Sequence, residues 1–369
     1  MALARVKLGA VTRLEKALGL FLAILVASTV WSVSPMATAL KAVALATIYL
    51  IVLALARIAE REGASSLDQL LTAVHIILIT CLINLVVFRD HAFVRLGHFD
   101  ATPRLSGVFP AIAPDFLAFF AVVGTLGLLT RRGPALTLRP LVRYGLIVAY
   151  LGVIVLTRTR SALAILGLCV VFLATTLLRR RRILVALIVA ATVTLLTGAI
   201  AVGPVGTYLS RNQSGRDLFS LTGRTATWGG AIAKWSTRPL QGFGYYAGHR
   251  FALVPKPGAD DISNLDNMWI ESLVDVGLLG TLPLAVMVIV GAVGLCRADQ
   301  SSSSDILLRR TLFVAAFAAS LINPSLELEA YPLIIFAFVL LGAPRLVLAK
   351  TELSSTFEYA TLPDGGRTA

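Results

Sequence analysis

Charge is scarce in this chain. Asp, Glu, Lys and Arg make up 14% of its 369 residues, and hydrophobic residues make up 57%. A soluble domain carries roughly 25% charged residues, so there is too little polar surface here to face water on all sides, and the implied solvent is lipid. Cysteine is nearly missing. Cys81 and Cys169 lie inside apolar runs and Cys296 at the end of one, which excludes a disulfide framework and a cysteine-based metal site. The four histidines, His75, His91, His98 and His249, show no metal-ligand spacing, and no cofactor is implied. Alternating apolar and polar stretches are few, which leaves helices as the spanning element. No internal repeat is visible.

What is present is a series of apolar runs. Their cores are Leu18–Trp31, Ala42–Ala56, Leu70–Phe88, Phe116–Thr130, Tyr144–Thr157, Ala162–Leu178, Ile183–Gly203, Val276–Leu295, Thr311–Ile322 and Leu333–Leu341. Their flanks bring most of them toward the ~20 residues that cross a bilayer. The expectation is an all-α, polytopic integral membrane protein of about ten transmembrane helices with one long extracytoplasmic loop, GT-C-like in outline. Residues 1–203 would hold helices one to seven, 204–270 the loop, 271–350 helices eight to ten, and 351–369 a polar, disordered tail. Arg5, Lys7, Arg13 and Lys16 before the first run suit an uncleaved first helix better than a signal peptide.

The net charge of +13 invites a nucleic-acid reading, which the placement of the charges excludes. With the N-terminus in the cytoplasm and the sides alternating, twenty of the 33 basic residues fall on inner segments, among them the run Arg179–Arg182. That is the positive-inside rule for a bacterial inner-membrane protein with both termini cytoplasmic. The outer exceptions carry more information. Arg158 and Arg160 occupy a very short outer turn. Seven more basic residues, Arg224 among them, lie in the long loop. A loop of about 65 residues in a compact protein is usually functional, and most of the polar and aromatic chemistry is in it.

Thr157-Arg158-Thr159-Arg160-Ser161-Ala162 opens a helix whose N-terminus faces outward. Free backbone N–H groups and two guanidinium groups make a phosphate site there; the bland alternative is two arginines snorkelling to lipid headgroups. From Thr222 to Trp235, Trp228, Ile232 and Trp235 share a helical face, which predicts a short helix on the outer membrane surface with Arg224 in its first turn. Pro239-Leu240-Gln241-Gly242-Phe243-Gly244-Tyr245-Tyr246 predicts a tight turn whose aromatics pack on sugar or lipid. Acids follow at the mouth of the next helix, among them Asp260, Asp261, Asp266, Glu271 and Asp275. They are costly there unless used or paired. Asp266 or Asn267 could cap that helix, or a carboxylate could take a proton from a hydroxyl nucleophile. His249 reads either as a base near neutral pH or, the preferred reading, as a solvated loop residue.

In this order the segments resemble the O-antigen ligase and O-antigen polymerase (Wzy-type) superfamily of bacterial membrane glycosyltransferases. Arg104-Leu105-Ser106-Gly107 looks like the family's Arg-x-x-Gly, and the Thr157–Ala162 segment looks like its Ser/Thr-Arg turn. Gly223-Arg224…Trp228 with Pro239…Gly242…Gly244 is similar to its loop signature. Asp266-Asn267…Glu271 with Gly277…Gly280 is similar to its His-Asn…Gly-x-x-Gly segment. The resemblance covers about Arg104–Gly280. The chain departs from it at Asp115, where the family often has Asn, and at Asp266, where it often has His.

The resemblance implies metal-independent, inverting glycosyl transfer outside the membrane from a glycan on undecaprenyl diphosphate to an acceptor glycan. Arg158, Arg160 and Arg224 would stabilise the departing diphosphate and Asp266 would serve as base. Arg104, Trp228, Tyr245, His249, Asn267 and Glu271 would bind substrate. A chain-length regulator is a possible partner. Asp266 in place of histidine tilts the expectation toward a polymerase of repeat units, with a ligase that passes the glycan to a lipid or protein acceptor as the alternative. A peptidoglycan polymerase of the shape, elongation, division and sporulation family shares the helix count but not these motifs. A transporter or flippase of the lipid-linked sugar would more often show related halves and charged or broken helices at mid-bilayer.

Overall fold

The computed structural model describes residues 12–61, 65–94, 103–130, 137–177, 224–253, 265–297 and 304–322, together with Val339. The apolar runs Ile183–Gly203 and Leu333–Leu341, the basic run Arg179–Arg182, the first part of the long loop, Asp260 and Asp261, and the 351–369 tail lie outside the described residues, apart from Val339.

The described chain is predominantly α-helical. Its elements are α1 (Arg13–Ala27), α2 (Pro35–Arg61), α3 (Ser66–Val87), β1 (Phe93–Val94), β2 (Arg104–Leu105), α4 (Pro114–Thr130), α5 (Pro140–Leu156), α6 (Arg160–Leu177), α7 (Arg224–Trp235), α8 (Met268–Arg297) and α9 (Ser304–Ile322). Proline opens α2, α4 and α5, where its fixed φ suits a helix and its missing N–H would have no helical partner anyway. Thr12 and Glu15 close a reciprocal capping box at the start of α1.

Among the described residues, four segments are long and apolar enough to cross a membrane: Arg13–Trp31, Pro35–Ile58, Ser66–Val87 and Met268–Arg297. That is fewer than the ten expected of the whole chain, two of which fall outside the described residues. α4, α5 and α6 are apolar but shorter, and α9 carries Asp305, Arg309 and Arg310 in its first turns. Those charges are accommodated within the protein. Arg309 pairs with Asp305 at 3.0 Å, and Arg310 donates to the carbonyls of Leu295 and Cys296 at the end of α8, where a cation also suits the helix dipole.

Each long helix is apolar on two faces. In α1, Leu14, Leu18, Phe21 and Leu25 form the buried stripe, and in α2 it is Ala42, Leu45, Tyr49, Val52 and Ala56. Leu50, Ile51, Ile76, Ile83 and Val148 point outward and are exposed. Exposed apolar side chains in such number are unfavourable in water and neutral in hydrocarbon, so these outward faces are consistent with a membrane protein. Neighbouring helices form a closed circuit in which α1 packs on α2, α2 on α3, α3 on α4, α4 on α9, α9 on α8, and α8 back on α1. α5 and α6 pack against α4, and α6 also against α9.

The all-α expectation needs one small amendment. β1 and β2 form an antiparallel ribbon that pairs Phe93 with Leu105 and Val94 with Arg104. The ribbon matters because it fixes where Arg104 sits.

Candidate functional site: a broken helix and the strap that covers it

α8 is interrupted. Gly277 has φ 58° and ψ −160°, a conformation that ends one helix and begins another. Broken helices leave backbone groups without helical partners, and here residues 239–244 supply them. The N–H groups of Phe243 and Gly244 donate to the carbonyl of Asp275 at 3.1 and 2.7 Å, and Phe243 also donates to that of Val274 at 3.0 Å. Beyond the break, the N–H groups of Leu278 and Leu279 donate to the carbonyls of Pro239 and Leu240 at 2.9 and 3.0 Å. The strap is tied equally to the turn between α1 and α2. Trp31 Nε1 donates to Gln241 O, Val33 N to Phe243 O, Thr38 Oγ1 to Tyr245 O, and Tyr245 N to Ser28 Oγ. The glycines of the Pro-Leu-x-Gly-x-Gly segment therefore allow a close backbone approach. A Cβ on Gly242 would come within 2.6 Å of the Asp275 carbonyl group, and Gly242 has φ 64°.

At the centre of this crossing lies an acid–base pair. His249 sits in a π-helical turn, Gly248–Ala252, and is 1% exposed; Asp275 is 0% exposed. His249 Nδ1 lies 3.0 Å from both carboxylate oxygens, while Oδ1 accepts the His249 N–H and Oδ2 the Tyr246 N–H, each at 2.8 Å. A carboxylate that accepts from Nδ1 holds the imidazole in the tautomer with its proton on that nitrogen. The expectation of a solvated His249 is thereby overturned, because the strap folds the ring into the protein instead of leaving it in the loop. Asp275, singled out only as one of a row of acids, is its partner. The signal available for it was a carboxylate two residues ahead of a glycine, at the start of a long apolar run.

Tyr246 takes φ 63° and sets its ring edge-on to His249, centroids 5.5 Å apart, with Lys41 Nζ 4.7 Å and the Arg250 guanidinium 5.6 Å from its own centroid. Tyr245 was expected to bind substrate, packing on sugar or lipid. It is fully buried in the helix core, its backbone held by Ser28 Oγ and Thr38 Oγ1.

At the mouth of α8, Asn267 is the cap. Its Oδ1 accepts from the N–H groups of Trp269 and Ile270 at 3.0 and 3.1 Å, and its Nδ2 donates to Leu321 O at the end of α9. Asp266 beside it is half-buried with φ 50°. Glu271, one turn into the helix, is fully buried. α7 packs on α8. Ala231 is buried with Phe243, Leu265 and Val274, and Trp228 Nε1 donates to Leu265 O at 2.6 Å. Ile232 is 46% exposed. Arg224 begins α7.

The Thr157–Arg160 turn has a foundation of its own. Arg104, expected to meet substrate, is buried and engaged within the protein. Its Nε donates to Thr157 O at 2.9 Å, and its Nη2 donates to Asp115 Oδ1 at 2.6 Å and Thr159 Oγ1 at 3.0 Å. Thr159 Oγ1 donates to the same carboxylate oxygen. Arg158 has φ 52°, and both Arg158 and Arg160 are half-buried at the start of α6. Three non-glycine residues in left-handed backbone, Arg158, Tyr246 and Asp266, thus fall on the turn, the strap and the mouth of α8. Such strain is retained where surrounding contacts over-determine it, often at functional sites. Among the described residues no cluster of His, Cys, Asp and Glu is arranged to hold a metal ion.

Residues 145–285 match the Wzy_C family model, described as O-antigen ligase. The match spans the Arg158–Arg160 turn, α7, the strap and the break in α8. No curated protein matches the chain.

Proposed function

We propose that this chain, which carries an O-antigen ligase domain over its arginine turn, strap and broken helix, transfers a glycan from undecaprenyl diphosphate to an acceptor on the extracytoplasmic side of a bacterial inner membrane. The observation that carries the reading is the extent of that match. It takes in Arg158, Arg160, Arg224, Asp266, Asn267 and Glu271, the residues to which the chemistry falls.

The acceptor hydroxyl attacks the anomeric carbon from the face opposite the diphosphate. Asp266 takes the hydroxyl proton, the new glycosidic bond forms, and the anomeric carbon–oxygen bond breaks with its electron pair going to the diphosphate. Arg158, Arg160 and Arg224 meet the growing negative charge. Preorganised cations in a site shielded from water lower such a barrier by several kcal/mol. Arg104 holds the turn that presents Arg158 and Arg160, since its donors are directed to Thr157, Thr159 and Asp115. Asn267 sets the start of α8 and with it the position of Asp266. Trp228 anchors α7 over Leu265, next to Asp266. The apolar outer faces of the helices meet the prenyl chain and the bilayer. The ten-helix topology with both termini cytoplasmic belongs to the same proposal.

A second reading, polymerisation of repeat units, rests on one feature, Asp266 where the family often has histidine. The surface polysaccharide of a strain lacking the chain separates the two on a sizing gel. Full-length chains accumulating on the prenyl carrier, with none on the acceptor, identify a ligase. Single units reaching the acceptor without long chains identify a polymerase. The diphosphate model itself is wrong if Arg158→Ala and Arg224→Ala both retain full turnover.

A further inference from the structure

Lys41 is the first charged residue in α2 and the only one before Arg57. It lies six residues from Pro35, about 9 Å along the helix axis at 1.5 Å per residue. A cation at that depth is costly unless an anion or a dipole meets it. Among the described residues no carboxylate pairs with it. Its contact is the Tyr246 ring, 4.7 Å from Nζ to centroid, which offers a partial attraction and leaves the charge unneutralised. Asp275, the carboxylate built into this crossing, is already held by Tyr246 N, His249 N and His249 Nδ1.

The position of Lys41 is specified by the fold. Thr38, one turn earlier on the same face of α2, is buried and donates to Tyr245 O at 2.7 Å, so this face is clamped to the strap. On the strap, Tyr246 also carries the Arg250 guanidinium, 5.6 Å from its ring centroid. Two cations from different elements thus converge on one aromatic ring at the end of the helix bundle where the strap and the α1–α2 turn meet. A lysine that only snorkelled to the headgroups would extend away from the protein; this one lies over the ring of Tyr246, whose backbone N–H donates to Asp275 Oδ2.

We propose that Lys41, set over the Tyr246 ring, forms a binding site for the phosphate group of a membrane lipid, and that the strap and α2 are clamped together to build it. The lipid's phosphate supplies the missing counter-ion while its chains remain among the exposed apolar side chains of α2, Met36, Leu40 and Val43. That the lipid is the prenyl diphosphate donor rests on the glycan-transfer reading; the phosphate site itself does not.

The test uses the full chain in detergent with two probes, undecaprenyl diphosphate and phosphatidylglycerol, and reads bound lipid by native mass spectrometry. Lys41→Met keeps an apolar side chain of similar length in the helix, and Lys41→Arg keeps the charge. Loss of a charge-assisted contact is expected to weaken binding about tenfold or more in Lys41→Met, while Lys41→Arg stays within about threefold of the parent. A loss confined to undecaprenyl diphosphate identifies the donor as the occupant. An equal loss for both probes supports the phosphate site with bulk anionic lipid in it. Unchanged affinity for both probes in a folded Lys41→Met protein overturns the proposal. A parent chain that binds the diphosphate through Lys41 yet transfers no glycan would sink the reaction above and leave this site standing.

Discussion

Replacing Asp275 by alanine removes the acceptor of three buried N–H groups: Tyr246 N, His249 N and His249 Nδ1. Both side chains of the pair are shielded from solvent, at 1% and 0% exposure, so water cannot take over without the strap opening. A buried donor left without an acceptor costs about 1–3 kcal/mol. For three donors that share one carboxylate, and so are not independent, the expected loss is roughly 3–6 kcal/mol. The backbone hydrogen bonds of Phe243 and Gly244 to the Asp275 carbonyl survive the substitution, so the loss should fall on residues 245–250 rather than on α8. Limited proteolysis with trypsin, with the fragments mapped by mass, reads this locally, because Arg250 is a cleavage site that is half-buried in the closed strap. When reclosing is faster than cleavage, the cutting rate follows the open population. A loss of 3 kcal/mol then raises cleavage after Arg250 by roughly a hundredfold. Asp275→Asn keeps one accepting oxygen and should fall between the parent and Asp275→Ala. If Asp275→Ala is cut after Arg250 within threefold of the parent rate, the carboxylate does not hold the strap and the account of the crossing is wrong.

Gly277→Ala places a methyl group against the backbone of Leu240 and Gln241 in a conformation that is essentially glycine-only. The expected destabilisation is upwards of about 3 kcal/mol, seen as a lower thermal midpoint by fluorescence-detected size exclusion. Gly145→Ala in α5, where a Cβ meets nothing within 4 Å, should leave that midpoint unchanged or raise it slightly. At the arginine turn, Asp115→Asn should retain most glycan transfer, because an amide oxygen still accepts from Arg104 and Thr159. Arg104→Ala should lower kcat/KM at least tenfold by releasing Arg158 and Arg160. Asp115 is 44% exposed, so solvent limits the stability cost of Arg104→Ala to about 1–3 kcal/mol. Equal activity in the two variants would refute the positioning role of Arg104.

Some of this protein is determined by its sequence alone. The shortage of charge and the length of the apolar runs require a lipid-embedded helical protein, because no arrangement of so few polar residues covers such a surface. The Thr157–Arg160 turn, the Trp228 helix, the Pro-Leu-x-Gly-x-Gly segment and the mouth of α8 are each local patterns of a few residues, and each was legible along the chain. What these segments do to one another was not. That His249 is buried against Asp275, 26 residues away, depends on the strap crossing a helix at its break, and no local propensity announces a break whose hydrogen bonds are satisfied by residues 31 to 39 positions earlier. Arg104 and Asp115 read as two separate polar residues until β1, β2 and α4 bring them to 2.6 Å. The choice between Asp266 and Asn267 as the cap turned on which side chain the end of α9 receives, and the buried face of α7 on where α8 lies. Composition and periodicity specify which surfaces must be covered; only the packing of distant segments specifies by what.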